Sequence, residues 1–145
     1  MAINGWAEVN TSWKGEMGFV GVNSAGAKVH MGTVDGESGI GPMQMLLMGL
    51  AGCAGMDIVS IMQKKRADLT DFQVSVRALR ADEFPMIYTD LQVVYTLWGN
   101  DLQPKDIEQA IQLSEEKYCS VGIMLGKSSR ITSGYRILNP GEKAE

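Results

Sequence analysis

The chain has 145 residues, of which 45% are hydrophobic and 21% are charged, with a formal net charge of -4 at pH 7. This length and composition are those of one ordinary folded domain, so we expect a single domain over residues 1–145 rather than a disordered chain. The mild acidity and the absence of any basic run longer than residues 64–66 exclude a nucleic-acid-binding surface.

The cysteine and histidine content excludes a simple zinc site. Cys53, Cys119 and a single histidine, His30, supply too few ligands unless carboxylates join them, so no metal or cofactor is predicted. The N-terminus shows no signal-peptide pattern, and we expect a cytoplasmic protein whose thiols stay reduced. In that compartment the two cysteines are either inert core residues or redox-active ones.

The first forty residues predict strands. Residues 3–10 alternate in polarity, and residues 13–22 and 27–33 predict two further short strands, separated by a turn at residues 23–26. His30 falls in the third strand, where a surface position is the simpler interpretation than a catalytic base. Residues 32–41 form a glycine-rich loop.

A helix is predicted from Pro42 to about residue 65, and it is apolar on nearly every face. The uncharged run is long enough for a membrane span, but glycines and Asp57 interrupt it, so we predict a central helix buried in the core and no membrane partner. The glycines at spacing three, Gly49, Gly52 and Gly55, predict that another backbone lies close to this helix.

The second half of the chain predicts a hairpin, a helix and a last strand. Residues 71–81 and 86–98 alternate on either side of a turn, Pro104 opens an amphipathic helix, residues 120–125 form a short helical turn, and residues 129–138 form a strand. The order is β-β-β-α-β-β-α-β, which is an α+β fold.

Considered from the residues alone, neither cysteine is clearly reactive. Cys53 lies midway along the apolar helix with Asp57 one turn later, where a negative charge disfavours a thiolate, so an inert core thiol is the simpler interpretation. Cys119 has Lys117 and Arg130 nearby in sequence, but the C-terminal end of a helix opposes a thiolate. Glu115 and Glu116 are most simply a solvated helix end.

Two segments in this order resemble the motifs of the OsmC/Ohr family, the osmotically inducible and organic hydroperoxide resistance proteins. Residues 41–53, GPMQMLLMGLAGC, resemble the helix that carries the family's first cysteine, and residues 113–121, LSEEKYCSV, resemble its second-cysteine motif. The resemblance covers almost the whole chain. It implies an OsmC-like fold with two central helices wrapped by antiparallel sheets, in an intertwined homodimer.

The resemblance also implies a function as an antioxidant peroxidase. Cys53 would attack an organic hydroperoxide and become a sulfenic acid, Cys119 would resolve it to a disulfide, and an external dithiol of the lipoyl type would reduce that disulfide. One alternative is a non-catalytic protein of the same fold that binds a small hydrophobic or thiol ligand at the dimer interface. Another is a purely structural domain with inert cysteines.

The sequence departs from the family pattern at the groups expected to activate the first cysteine. The peroxidase branches place a glutamate ten residues before that cysteine and an arginine in the N-terminal segment. Here the first position is Met43, and Lys14 is the only basic residue before Lys28. We therefore expect weak peroxidase activity, with Lys14, Lys117 or Arg130 as candidate replacements for the arginine.

Overall fold

The computed structural model describes residues 5–144, which form two compact units, one ending at Leu46 and the other beginning at Leu47. The expectation of one domain stays a prediction. In chain order the elements are β1 (Val9–Trp13), β2 (Phe19–Asn23), β3 (Lys28–Met31), β4 (Thr33–Val34), β5 (Glu37–Ser38), α1 (Pro42–Lys64), β6 (Asp68–Arg80), β7 (Tyr88–Asn100), α2 (Pro104–Leu113), a π-helical turn (Ser114–Tyr118), α3 (Ser120–Leu125) and β8 (Arg130–Leu138).

The first unit contains an antiparallel sheet in the order β1-β2-β3 and a small β4-β5 ladder inside the predicted loop. The turn predicted at residues 23–26 is confirmed, because the Asn23 side chain accepts hydrogen bonds from the backbone N–H groups of Ala25 and Ala27 at 3.0 and 2.9 Å. An asparagine carboxamide that binds its own downstream backbone stabilises such a turn.

The bounds of the first two predicted strands are wrong. A turn at residues 14–18 separates β1 from β2: Gly15 and Glu16 both have positive φ, and the Lys14 N–H donates to the Gly18 carbonyl at 2.8 Å. Positive φ at a non-glycine residue is not visible in an alternating pattern. Of the predicted strand 3–10, only residues 9 and 10 belong to β1. Residues 3 and 4 of that predicted strand lie outside the described residues.

In the second unit the predicted hairpin is confirmed as β6 and β7, which pair antiparallel along almost their full length. The last strand, β8, pairs with β7 in the parallel direction, from Asp90↔Arg130 to Trp98↔Leu138. The expectation of purely antiparallel sheets is therefore wrong for this pair. The helical connection between β7 and β8 is the kind of crossover that parallel neighbours require.

The core of the second unit lies between α1, β7 and α2. The buried residues of α1 form one stripe at helical spacing: Leu50, Ala54, Gly55, Ile58 and Met62. Leu91 and Leu97 of β7 and Ile107 of α2 are fully buried as well. An 18-residue window of α1 has a mean hydropathy of 1.8, enough in length and composition to cross a membrane, and 28% of it is buried. A single helix of this kind is also typical of the core of a globular domain.

The opposite side of α1 is not covered by the described residues of the single chain. Met48 and Met56 are 54% and 76% exposed. The close backbone neighbour predicted from the glycines is also absent among the described residues: Gly52 faces open space, and Gly55 lies against the side chains of Val74 and Phe72. Helix α1 therefore presents an apolar surface outward.

Candidate functional site

Cys53 lies near the middle of α1, next to the buried stripe, and its thiol is free and half-buried. The helix forms here because residues 43–56 are apolar or small, begin with Pro42 in the first turn, and carry no charge before Asp57. The side chain that follows one turn later on the same face is therefore the carboxylate of Asp57.

Cys119 is positioned by a break in helical geometry. After α2 the chain makes the π-helical turn, and the Cys119 N–H donates to the Ser114 carbonyl at 2.7 Å, which ends the turn with Cys119 in an extended conformation. Cys119 then precedes α3, and its Sγ accepts a hydrogen bond from the Gly122 N–H at 3.3 Å. Because Cys119 begins one helix as well as following another, the expectation that it lies simply at a helix C-terminus is incomplete.

The two thiols are neighbours, close enough for a side-chain hydrogen-bond interaction with Cys53 to raise the pKa of Cys119. Cys119 is only 2% exposed, and this burial raises the pKa of its thiol to about 11. The Gly122 N–H lowers that pKa, while the contact with Cys53 and the negative charge of Asp57 raise it further. The fold therefore brings together the two cysteines selected from the sequence and keeps Cys119 as a neutral thiol.

A buried hydrogen bond connects the segments that carry the two cysteines. The Ser114 hydroxyl, which is fully buried, donates to the Asp57 carboxylate at 2.9 Å. Asp57 lies one turn after Cys53, and Ser114 opens the turn that ends at Cys119. This bond ties α1 to the π-helical turn next to the thiol pair, and a hydrogen bond to a charged acceptor is among the stronger ones.

A cavity of about 470 Å³ adjoins Cys119, between α1, β7, α3 and the start of β8. Its walls are mostly apolar and include Leu50, Ala54 and Ile123, while Lys127 and Arg130 supply positive charge. Of the two described thiols, Cys119 lines this cavity and Cys53 does not. The volume is that of a typical small-molecule site.

The cavity wall also includes the phenol of Tyr95 and the carboxylate of Glu115. Tyr95 lines the cavity and is only 1% exposed. Burial is the main cause that raises the pKa of its phenol, and the negative charge of Glu115 is the second. Glu115 accepts a hydrogen bond from the Ser133 hydroxyl at 2.5 Å. Glu115 is exposed, as predicted for a solvated helix end, but it also forms part of the cavity wall. Tyr95 therefore stays protonated.

The basic residues considered from the sequence have different positions. Arg130 lines the cavity and pairs with Asp90 at 2.8 Å, and the Lys117 ammonium lies 5.1 Å from the centre of the Tyr118 ring. Lys14 belongs to the unit that ends at Leu46, so its role toward the thiols stays a prediction.

Two other polar residues, Gln44 and His30, have structural roles. The Gln44 side chain accepts a hydrogen bond from the Gly41 N–H at 2.7 Å, which caps the start of α1. His30 lies in β3, where its Nε2 is 3.1 Å from the Glu37 carbonyl. Across residues 5–144, no group of three His, Cys, Asp or Glu side chains is placed to hold a metal ion.

Three site residues were not identified from the sequence as parts of a site: Ser114, Tyr95 and, in its tethering role, Asp57. Asp57 was noticed only as a charge that disfavours a thiolate at Cys53. The available signal is its position, since it is the first charged residue of a helix whose only other charge is Lys64 in the last turn, and it lies at i+4 from a cysteine. The partner of Asp57 is 57 residues away in the chain, and no local pattern reveals such a contact.

Comparison with known proteins places these features in a family. A model of the OsmC-like protein family matches residues 35–133. Protein YhfA of Escherichia coli strain K12 is 34% identical over 131 residues, covering 90% of this chain and 98% of YhfA. A crystal structure of a hypothetical protein from Aquifex aeolicus VF5 is 30% identical, with a TM-score of 0.82 over 92% of this chain and 96% of that one.

A more distant structure shares the fold alone. The organic hydroperoxide resistance protein OhrB of Bacillus subtilis is 15% identical, with a TM-score of 0.61 over 90% of this chain and 97% of that one.

Proposed function

This chain belongs to the OsmC-like family, and from its two adjoining thiols we propose that it reduces organic hydroperoxides by a two-cysteine mechanism. Membership of this family supports a peroxidase or stress-defence role at the level of the family. The observation that carries the proposal for this chain is the contact between the side chains of Cys53 and Cys119. We place the reaction in the cytoplasm, where both thiols are kept reduced between turnovers.

In the proposed reaction the Cys53 thiolate attacks the terminal oxygen of the hydroperoxide. The O–O bond breaks, the alcohol leaves with a proton, and Cys53 becomes a sulfenic acid. The Cys119 sulfur then attacks the Cys53 sulfur, water leaves, and an intramolecular disulfide forms. An external dithiol returns both cysteines to thiols and is itself oxidised to a disulfide.

The division of roles follows from exposure. Cys53 is the more accessible of the two described thiols, so it is the one that a peroxide reaches first. Cys119 is buried, and its raised pKa keeps it protonated and unreactive toward oxidants until the sulfenic acid forms beside it. Contact between the two sulfurs makes the second step intramolecular, which protects the sulfenic acid from further oxidation.

We also propose that the protein is a homodimer. A groove of about 530 Å³ runs between α1 and β6 and is lined mainly by apolar groups, among them Gly55, Met56 and Phe72. Met48 and Met56 project from the same helix with more than half of their surface exposed. Exposed apolar surface of this kind favours association with a second copy, which would cover α1.

The experiment that tests the function is mass spectrometry of the protein after addition of one equivalent of cumene hydroperoxide. We expect a loss of two hydrogens per chain, no reaction in Cys53→Ser, and a dimedone-reactive sulfenic acid in Cys119→Ser. Hydroperoxide reduction without any change at either cysteine, or two thiols that stay intact, would contradict the mechanism.

A second candidate function is binding of a small hydrophobic or thiol ligand without catalysis. It is favoured by the cavity beside Cys119 and by Met43 at the position where peroxidase relatives are expected to carry a glutamate. This candidate predicts a saturable ligand affinity that Cys53→Ser leaves unchanged, together with no consumption of hydroperoxide.

A further inference from the structure

We propose that the cavity beside Cys119 admits the reducing dithiol, and that this dithiol attacks the Cys119 sulfur of the disulfide from a side different from that by which the peroxide reaches Cys53. The inference rests on the proposed function, since it concerns the step that reopens the disulfide. It identifies the cavity as a binding site for an apolar dithiol and assigns the sulfur that is attacked.

The first support is the arrangement of the two sulfurs. Cys119 lines the cavity and also contacts Cys53, while Cys53 does not line the cavity. Cys119 is therefore the sulfur of the pair that a molecule in the cavity meets. A thiolate attacks a disulfide sulfur along the S–S axis, opposite the leaving sulfur. A nucleophile in the cavity thus approaches Cys119 with Cys53 as the leaving group.

The second support is chemical. Because burial raises the pKa of the Cys119 thiol to about 11, Cys119 is a poor leaving group, which disfavours attack at Cys53. Attack at Cys119 forms a mixed disulfide between the reductant and Cys119 and releases the Cys53 thiolate, which takes up a proton when the cycle closes. The second thiol of the reductant then attacks its own sulfur in the mixed disulfide, leaving as a cyclic disulfide and restoring the Cys119 thiol.

The lining of the cavity indicates the class of reductant. The groups around Cys119 are aliphatic, including Leu50, Ala54 and Ile123, so an apolar dithiol is favoured over a strongly hydrophilic thiol. Lys127 and Arg130 also line the cavity and favour an attacking thiolate, although Arg130 is paired with Asp90. Glu115 also lines the cavity, and its charge has the same sign as that of an attacking thiolate. Its carboxylate accepts a hydrogen bond from the Ser133 hydroxyl.

A matched pair of variants tests the entry site. Ile123 lines the cavity and is 41% exposed, whereas its neighbour Met124 is 70% exposed and is not among the lining residues. Ile123→Trp should slow reduction of the disulfide by dihydrolipoamide by roughly tenfold or more, because it displaces the nucleophile from its line of attack. Met124→Trp should leave that rate unchanged. Oxidation by cumene hydroperoxide should also be unchanged in Met124→Trp, which lies outside the cavity wall.

The sulfur that is attacked is identified by trapping. The disulfide is first formed with diamide, so that this test does not depend on peroxide chemistry, and is then treated briefly with benzyl mercaptan, a monothiol, followed by acid and alkylation. Trypsin separates the two cysteines, because Lys64 lies between them and Lys117 and Lys127 flank Cys119. We expect the benzyl adduct on Cys119 and the alkylated thiol on Cys53.

The outcomes separate this proposal from the proposed function. An adduct on Cys53, or equal slowing in the Ile123 and Met124 variants, would overturn the cavity as the entry site while leaving the peroxidase mechanism intact. Correct trapping on Cys119 without any reaction with hydroperoxide would support the site and contradict the peroxidase. Failure of diamide to close the disulfide would overturn both.

Discussion

Replacing Asp57 with asparagine should accelerate closure of the disulfide once Cys53 has been oxidised. The asparagine Oδ1 can still accept the hydrogen bond that the buried Ser114 hydroxyl donates at 2.9 Å, so the tether between α1 and the π-helical turn is preserved. What is lost is the negative charge, which is one of the causes that raise the pKa of Cys119. The variant therefore changes the electrostatics of the pair and preserves its geometry.

The size of the effect follows from the pKa of about 11 for Cys119. At pH 7 a thiol with that pKa is about one part in 10⁴ thiolate, against roughly one in 10² for an unperturbed thiol. Burial is the largest cause of the increase and Asp57 is the smallest, so removing the charge should raise the thiolate fraction by less than about tenfold. The lower basicity also reduces nucleophilicity, with a Brønsted coefficient of about 0.4–0.5, leaving a net acceleration of roughly twofold to threefold.

The assay is a quenched-flow measurement of disulfide formation after a single addition of cumene hydroperoxide, repeated from pH 6 to pH 10. In the unsubstituted protein the rate should increase about tenfold per pH unit as long as Cys119 ionisation limits closure. Asp57→Asn should shift that profile to lower pH. Asp82→Asn makes the same charge change in the hairpin turn, away from the thiol pair, and serves as the control. A slower closure in Asp57→Asn, or a pH-independent rate, would refute the reasoning.

The remaining predictions concern the tether, the association surface and the core. Ser114→Ala removes the tether and should slow disulfide closure and lower the free energy of unfolding by about 1–3 kcal/mol, measured by urea denaturation. Met56→Lys places a charge on the exposed face of α1 and should shift the sedimentation mass from two chains to one; an unchanged mass of two chains would contradict the proposed interface. Ile58→Ala leaves a cavity at a fully buried position and should destabilise the protein by about 2–5 kcal/mol without changing the reactivity of Cys53.

The parts of the fold that could be predicted are those with strong local patterns. Helix α1 follows from Pro42 and a long apolar run, and the β6-β7 hairpin follows from two long alternating stretches. The turn between β1 and β2 could not be placed, because it depends on a positive φ at Glu16, which the residue type does not favour. The parallel pairing of β8 was also hidden, since alternation along a strand carries no information about the direction of its neighbour.

The site was predictable only in part, for a related reason. The family resemblance of the two segments selected Cys53 and Cys119, and their contact agrees with that selection. Reasoning from the residues alone favoured inert thiols, because it considered each cysteine with its sequence neighbours. The contacts that define the site join α1 to the π-helical turn across a long separation in the chain, as the bond between Asp57 and Ser114 illustrates.

The groups that surround the thiol pair determine the protonation of Cys119 in the proposed reaction. Two carboxylates raise the pKa of a neighbouring group by their charge: Asp57 acts on Cys119 and on Tyr95, and Glu115 acts on Tyr95. Burial is the largest cause of the raised pKa of both Cys119 and Tyr95, and negative charge adds to it, so both groups are held neutral. In the proposed reaction, proximity to Cys53 compensates for the small ionised fraction of Cys119. In the proposed mechanism, burial protects Cys119 from oxidants, and proximity to Cys53 directs it toward the oxidised neighbour.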